Sequence, residues 1–148
     1  MINEFKGDYF FLSNFYHCHI WFDGYLYHSS EQLYQAHKAV DTSGLMSVQA
    51  CTSPGDAKRQ GKQIKVRPDW DAVKKTYMYS TLLCKFTQNP LLADGLIETY
   101  PHSIVEGNDW HDNYWGSCTC DQCTESINVL GTLLMEVRNV LSFIGGEK

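Results

Sequence analysis

The sequence predicts an α+β fold, largely helical with a small antiparallel sheet, in a single domain over residues 1–148. Three observations carry that expectation. Asp23-Gly24 lies between two short aromatic and β-branched runs, the pattern of a two-residue hairpin loop. Apolar residues recur at helical spacing over 70–86 and 128–143. A chain of 148 residues, 43% hydrophobic and 20% charged, has enough apolar material for one core, and no repeat, linker or low-complexity block divides it.

Strands are expected on both sides of Asp23-Gly24, within 15–27. Ser29 and Ser30 then cap a helix carrying Glu31, Leu33, Tyr34, Ala36, His37 and Lys38, because a serine oxygen satisfies a free N–H of the first turn. Residues 42–47 read as loosely helical, with 41–44 interrupting the run. S-P-G-D-A-K-R-Q-G supplies a serine cap, a proline for the first helical position and an aspartate in the first turn, and it ends on Gly61. The long helix over 70–86 places Trp70, Val73, Tyr77, Met78, Leu82 and Phe86 on one side. Asn89-Pro90 breaks it and starts another over 91–99, which Pro101 ends. The last helix, 128–143, carries the stripe Val129, Leu133, Val137, Val140 and Leu141, and Gly145-Gly146 is expected to stop it. Before it, V-E-G-N-D-W-H-D-N-Y-W-G (105–116) reads as a loop.

A formal charge of −5 without any basic run argues against tight, sequence-independent binding to a phosphate backbone, but leaves a single nucleotide as a ligand. No apolar segment approaches the roughly 20 residues that span a bilayer. The opening M-I-N-E-F-K-G-D lacks the charged-then-apolar pattern of a signal peptide, so a cytoplasmic protein with no membrane partner is expected.

Six cysteines in such a chain read as reduced thiols. Cys118, Cys120 and Cys123 fall within C-T-C-D-Q-C, and a zinc site there is the alternative to free thiols. It requires a fourth ligand from Cys51, Cys84 or a histidine. His111, with no H-E-x-x-H partner, reads as a structural histidine, and a hydrolytic metal site is not indicated.

Glu31, Gln35 and Lys38 project from one helix face. A solvated surface is the simpler account of that face; the other is a cleft in which an acid and an amine do chemistry. Lys58, Arg59 and Lys62 cluster near a helix start, where a phosphate can bind, although G-D-A-K-R-Q-G lacks Walker spacing. In 105–116, Glu106, Asp109 and Asp112 stand among Trp110, Tyr114 and Trp115. Such a segment either stacks a base beside working carboxylates or packs as an aromatic corner capping the last helix.

Taken in order, F-L-S-N-F-Y, F-D-G, S-E-Q-L-Y-Q-A-H-K-A, S-P-G-D-A-K-R-Q-G, R-P-D-W, K-F, V-E-G-N-D-W-H-D-N-Y-W-G and N-V-L-G-T-L-L-M-E-V-R resemble the NADAR superfamily of YbiA-like N-glycosidases over nearly the whole chain. The resemblance implies a compact, largely helical α+β domain that cleaves N-glycosidic bonds. Its substrates would be guanine bearing ADP-ribose, in nucleic acid or as a nucleotide, or a ribosylamino-pyrimidine of riboflavin synthesis. A non-catalytic module binding NAD or ADP-ribose is the alternative. No cofactor is implied, and the first substrate suggests pairing with an ADP-ribosyltransferase toxin. Carried onto this chain, the resemblance makes Glu31, Lys38 and Asp112 catalytic, and assigns Asn14, Arg59, Trp70, Glu106, Trp115 and Arg138 to substrate. This sequence departs from the pattern at Glu98-Thr99-Tyr100-Pro101, where many members carry T-G, and in the C-T-C-D-Q-C insertion.

Breaking C1′–N leaves positive charge on the ribose, so a carboxylate beside the sugar stabilises the transition state; Glu31 is the candidate. Asp112 or Glu106 is expected to protonate the departing base. Lys38 opens a second route, in which its neutral amine attacks C1′ and forms an imine. Burial lowers the pKa of such an amine while the Glu31 charge raises it, and the sequence does not rank the two.

Overall fold

The structure, a computed structural model, describes residues 1–146. Its elements form two compact units, one of residues 14–89 and the other of residues 1–13 together with those from Pro90 onward.

In the unit of residues 14–89, β1 (Ile20–Phe22) and β2 (Tyr25–Tyr27) pair antiparallel, with Ile20 opposite Tyr27 and Phe22 opposite Tyr25. Asp23 and Gly24 take φ of 50° and 83°, the left-handed pair that a tight hairpin turn requires. α1 (Ser30–His37) begins on Ser29, whose Oγ accepts from Gln32 N at 3.1 Å. Asp41 does not break a helix but starts one: its Oδ1 accepts from Gly44 N at 2.9 Å and caps α2 (Thr42–Gln49). A short acid before a free N–H turns the chain into a helix as readily as it ends one. α3 (Pro54–Gly61) begins on the Ser53 cap and Pro54. α4 (Trp70–Thr87) buries Trp70, Met78, Leu82 and Phe86 at the expected spacing, and with them Thr81 and Lys85.

The other unit holds a 3₁₀ helix (Gly7–Leu12), α5 (Pro90–Glu98) and α6 (Val129–Gly146). α6 includes Gly145 and Gly146, the last of the described residues. Glycine costs a helix only about 1 kcal/mol against alanine, while Val129, Leu130, Leu133, Leu134, Val137 and Leu141 are all buried along it. A Cβ at Gly131 would lie 2.2 Å from the carbonyl oxygen of Ile104, so glycine alone lets the helix approach that backbone. The 105–116 segment is not wholly loop. β3 (Gly107–Asn108) pairs in parallel with β4 (Ser117–Cys118), the intervening residues forming the crossover that parallel pairing demands. Among the described residues the sheet content is therefore the antiparallel hairpin plus this short parallel pair. No helix there is long and apolar enough to cross a membrane.

Lys85 is fully buried, its ammonium 5.1 Å from the Phe86 ring centre and 5.8 Å from that of Tyr16. Burial pushes its pKa down to about 8 from 10.5, with the Cys18 thiol pulling weakly the other way. A folded pKa below the unfolded one means that the unfolded chain holds the proton more tightly, so stability rises with pH across that window. Urea midpoints of the wild type should therefore climb, relative to Lys85→Met, as pH rises from about 8 to 10.5. Parallel profiles would show that this proton is not linked to folding.

Candidate active site

α1 is buried from Ser30 to Ala36, its polar residues included. The solvated-face account is overturned: Glu31 is 7% exposed and Gln35 4%. The helix is held in place by its own polar side chains. Gln32 Nε2 donates to the carbonyls of Val48, Gln49 and Cys51, at 3.2, 3.0 and 2.9 Å, so one amide fastens α1 to the end of α2. Its Oε1 accepts from His28 N at 2.8 Å. Asn14, placed by the resemblance at substrate, is buried; its Oδ1 accepts from Ser30 Oγ at 2.8 Å and its carbonyl from Glu31 N at 3.0 Å. Asn14 thus fixes the first turn that carries Glu31.

Gln35 Nε2 donates to Glu31 Oε1 at 2.8 Å, while Gln35 Oε1 is buried with no hydrogen-bond partner among the described residues. Desolvation raises the pKa of Glu31, against the Gln35 hydrogen bond and the charges of Lys58 and Lys38. Desolvation also lowers the pKa of Lys38, against the pull of Glu31, and Lys62, Lys58 and Lys74 lower it further. Burial therefore wins the competition that the sequence left open. The acid is pushed up and the amine down, each toward its neutral form.

Beside this pair runs a row of rings. Lys38 Nζ lies 5.8 Å from the Tyr34 ring centre, Tyr34 is 5.2 Å from Trp70, and Trp70 stacks on Tyr77 at 6.0 Å. His37 follows at 4.6 Å from Tyr77 and 4.8 Å from Phe22. Trp70, expected to stack on substrate, is 8% exposed and faces Tyr34 and Tyr77. Burial, and then the Arg67 charge, push the pKa of His37 down to about 4, so it packs as a neutral ring at neutral pH. Arg67 is held by the Asp69 carboxylate, at 2.6 and 3.1 Å, and lies against Tyr77. Its backbone N donates to the carbonyl of Lys38 at 2.8 Å, which fixes the chain just after α1. Arg59 is exposed and paired with Asp56. Gln35, Tyr34, His37, Arg67 and Lys85 were not among the predicted site residues. For Gln35 the signal was present in its spacing from Glu31; for the others nothing local distinguished them.

The remaining predicted residues lie in the other unit. Asn108, buried, organises 105–116: its Oδ1 accepts from Trp110 N and Asp112 N at 3.2 and 3.1 Å, and its Nδ2 donates to the Asp112 carbonyl at 2.8 Å. Asp112 Oδ1 in turn accepts from Tyr114 N and Trp115 N at 3.2 and 2.9 Å. The carbonyls of Gly116, Tyr114 and Trp115 then accept from the N–H groups of Asn128, Val129 and Leu130 at the start of α6. The segment thus does cap the last helix. Trp115 is half-buried, edge-on to Tyr114 at 4.8 Å. Glu106 N donates to Asn128 Oδ1 at 3.0 Å. Arg138 is buried and donates to Thr99 Oγ1 and the His102 carbonyl at 3.0 and 2.7 Å, holding the turn that contains the departure from the family pattern. His111 Nδ1 lies 3.3 Å from Cys123 Sγ, 3.5 Å from Cys120 Sγ and 3.7 Å from Cys118 Sγ. Cys51 and Cys84, considered as partners for these thiols, belong to the other unit.

A buried acid hydrogen-bonded on one side, with an amine driven toward neutrality near it, is the electrostatics of an acid–base or nucleophilic enzyme. Comparison with known proteins gives that class its family. The NADAR domain profile matches residues 2–142. N-glycosidase YbiA of Escherichia coli strain K12 is 34% identical over 139 residues, covering 93% of this chain and 84% of YbiA. The NMR structure of E. coli YbiA superposes with a TM-score of 0.85 at 31% identity, covering 100% of this chain and 90% of that one. The chloroplastic riboflavin biosynthesis protein PYRR of Zea mays is 32% identical over 79% of this chain, which spans only 20% of PYRR. The chain belongs to the NADAR domain family. It stands with the hydrolases that act on N-glycosyl bonds.

A Cβ at Gly61 would lie 2.0 Å from Gln35 Oε1 and 2.8 Å from its Cδ. A long side chain can swing aside cheaply, but here the swing takes Gln35 off Glu31. Gly61→Ala should therefore cost about 1–3 kcal/mol of stability, as a buried group left unpaired does, and in the folded variant lower turnover by on the order of 10–10²-fold, the cost of misplacing a working group. Turnover unchanged in the folded variant would mean that Gly61 serves packing alone.

Proposed function

We propose that this chain hydrolyses the C1′–N bond of guanine bearing ADP-ribose, in nucleic acid or as a nucleotide, releasing ADP-ribose. The observation that supports this reading is the desolvated Glu31–Lys38 pair set among Lys58, Lys62 and Lys74. A chain of net charge −5 that concentrates cations about one acid and one amine is suited to a ribose carrying phosphates.

In this mechanism the neutral amine of Lys38 attacks C1′, and the bond to the base nitrogen breaks with its electron pair leaving on the base. The base takes a proton from an acid as it leaves. Glu31, in its ionised form, offsets the positive charge that builds on the sugar. Ring opening gives an imine on Lys38, and water releases the sugar and regenerates the amine. A partnership with an ADP-ribosyltransferase toxin goes with this substrate. A second reading, favoured by the name of the maize relative, is clearance of a ribosylamino-pyrimidine of riboflavin synthesis.

Mass spectrometry of reactions with ADP-ribosylated guanosine, free and in single-stranded DNA, beside the ribosylamino-pyrimidine, separates the readings. ADP-ribose released by the wild type and lost by about 10²-fold or more in Glu31→Gln is the expected result. Cleavage of the pyrimidine alone moves the substrate to the second reading, and one-to-one binding without turnover makes the protein a sensor. The Lys38 route is tested separately. Only the neutral amine attacks, so kcat/KM should rise with pH to a plateau, with a midpoint below the ordinary lysine value because burial lowers the Lys38 pKa. Borohydride should trap the sugar on Lys38 during turnover; rapid turnover with no trapped adduct would leave direct attack by water.

A further inference from the structure

The geometry points to a structural zinc site formed by His111, Cys118, Cys120 and Cys123. Their ligand atoms all lie within 4.8 Å of one another. The His111 Nδ1 to Sγ distances of 3.3, 3.5 and 3.7 Å match a tetrahedron. With Zn–S of about 2.3 Å and Zn–N of about 2.0–2.1 Å, ideal angles place a nitrogen about 3.5–3.6 Å from each sulfur. Three thiolates and an imidazole form one of the standard closed ligand sets for structural zinc, with no position left for water. None of the three cysteines is in a disulfide.

The backbone is built around this arrangement. The parallel pairing of Gly107–Asn108 with Ser117–Cys118 brings Cys118 back beside the strand that leads to His111. Asn113 Oδ1 accepts from Cys118 N at 2.9 Å, and Thr119 N donates to the Asn108 carbonyl at 2.8 Å. His111 sits at φ 66°, a left-handed conformation that a non-glycine residue keeps only when its surroundings hold it there. Nδ1 faces the three sulfurs, which leaves Nε2 to carry the proton of the neutral ring. Binding Zn²⁺ would displace up to three thiol protons to solvent and leave a site of net charge −1. The ligands bracket Asp112 and Trp115 in sequence, so the metal would clamp the segment that carries both.

The test is metal content of the full-length protein purified without chelator. One zinc per chain is expected, retained through gel filtration and lost in both Cys120→Ser and Cys123→Ser. A second histidine group, His17, His19 and His28, also brings its ring nitrogens together. His19→Ala must therefore keep the zinc, and its loss there overturns the assignment. Cobalt loaded into the reduced wild type should give thiolate charge-transfer and intense tetrahedral d–d absorption. This readout does not require the variants to fold. Zinc far below one per chain, iron in its place, a disulfide among the three cysteines, or cobalt spectra without thiolate bands would each overturn the proposal.

Discussion

The unit of residues 14–89 depends on the burial of one short helix with its polar side chains inside. α1 takes Ser30, Glu31, Gln32 and Gln35 out of water, and a buried polar group without a partner costs about 1–3 kcal/mol. The surrounding elements are arranged to answer that cost. Gln32 receives three carbonyls at the end of α2, Ser30 receives Asn14, and the Ser29 cap takes the N–H of Gln32. Two groups on α1 are left under-compensated: Gln35 Oε1 has no partner among the described residues, and Glu31 has one amide donor, so that desolvation raises its pKa against that hydrogen bond and the charges of Lys58 and Lys38. The neutral hydrogen bonds of the helix therefore hold a destabilised acid in place, as strain at a working site is held by the structure around it.

What could be read from the sequence was whatever depends on neighbours in the chain. The D-G hairpin, the Ser29 and Ser53 caps and the stripe of α4 are decided within a turn or two of helix, and each stands where it was expected. The fate of the Glu31 face was not decided locally. A row of polar residues at helical spacing looks the same against water as against a polar interior, and the partners that settle the matter for Gln32 lie 16 to 19 residues away. The row of rings was hidden for the same reason, since Tyr34, Trp70, Tyr77 and His37 come from two helices. The grouping of His111 with three thiols was not visible in its motif. The residue lacks a partner at the spacing of a zinc helix, yet a left-handed turn and a parallel strand pair set it against three thiols.

The 105–116 segment shows why its two readings need not compete. Its backbone carbonyls cap α6, while Asn108 and Asp112 consume backbone N–H groups inside the loop. Capping uses main chain, and recognition uses side chains. A loop whose main chain is already spent in this way presents its rings and acids with little conformational freedom left, which is the condition for a binding wall to act without a large ordering cost.

The order of the influences on Lys38 bears on the proposed substrate. Cationic neighbours help to hold its amine neutral, but a bound pyrophosphate would cancel those same charges, and its own negative charge would favour the ammonium. An amine kept neutral chiefly by Lys58, Lys62 and Lys74 would then regain its proton at the moment of use. Desolvation is the largest cause of the shift, and the lysines are secondary to it. A substrate that excludes water strengthens the first cause while removing the second. In the proposed route, desolvation of Lys38 is therefore what would keep an amine nucleophile compatible with an anionic substrate, and the phosphates would have to lie nearer to Lys58 and Lys62 than to Lys38.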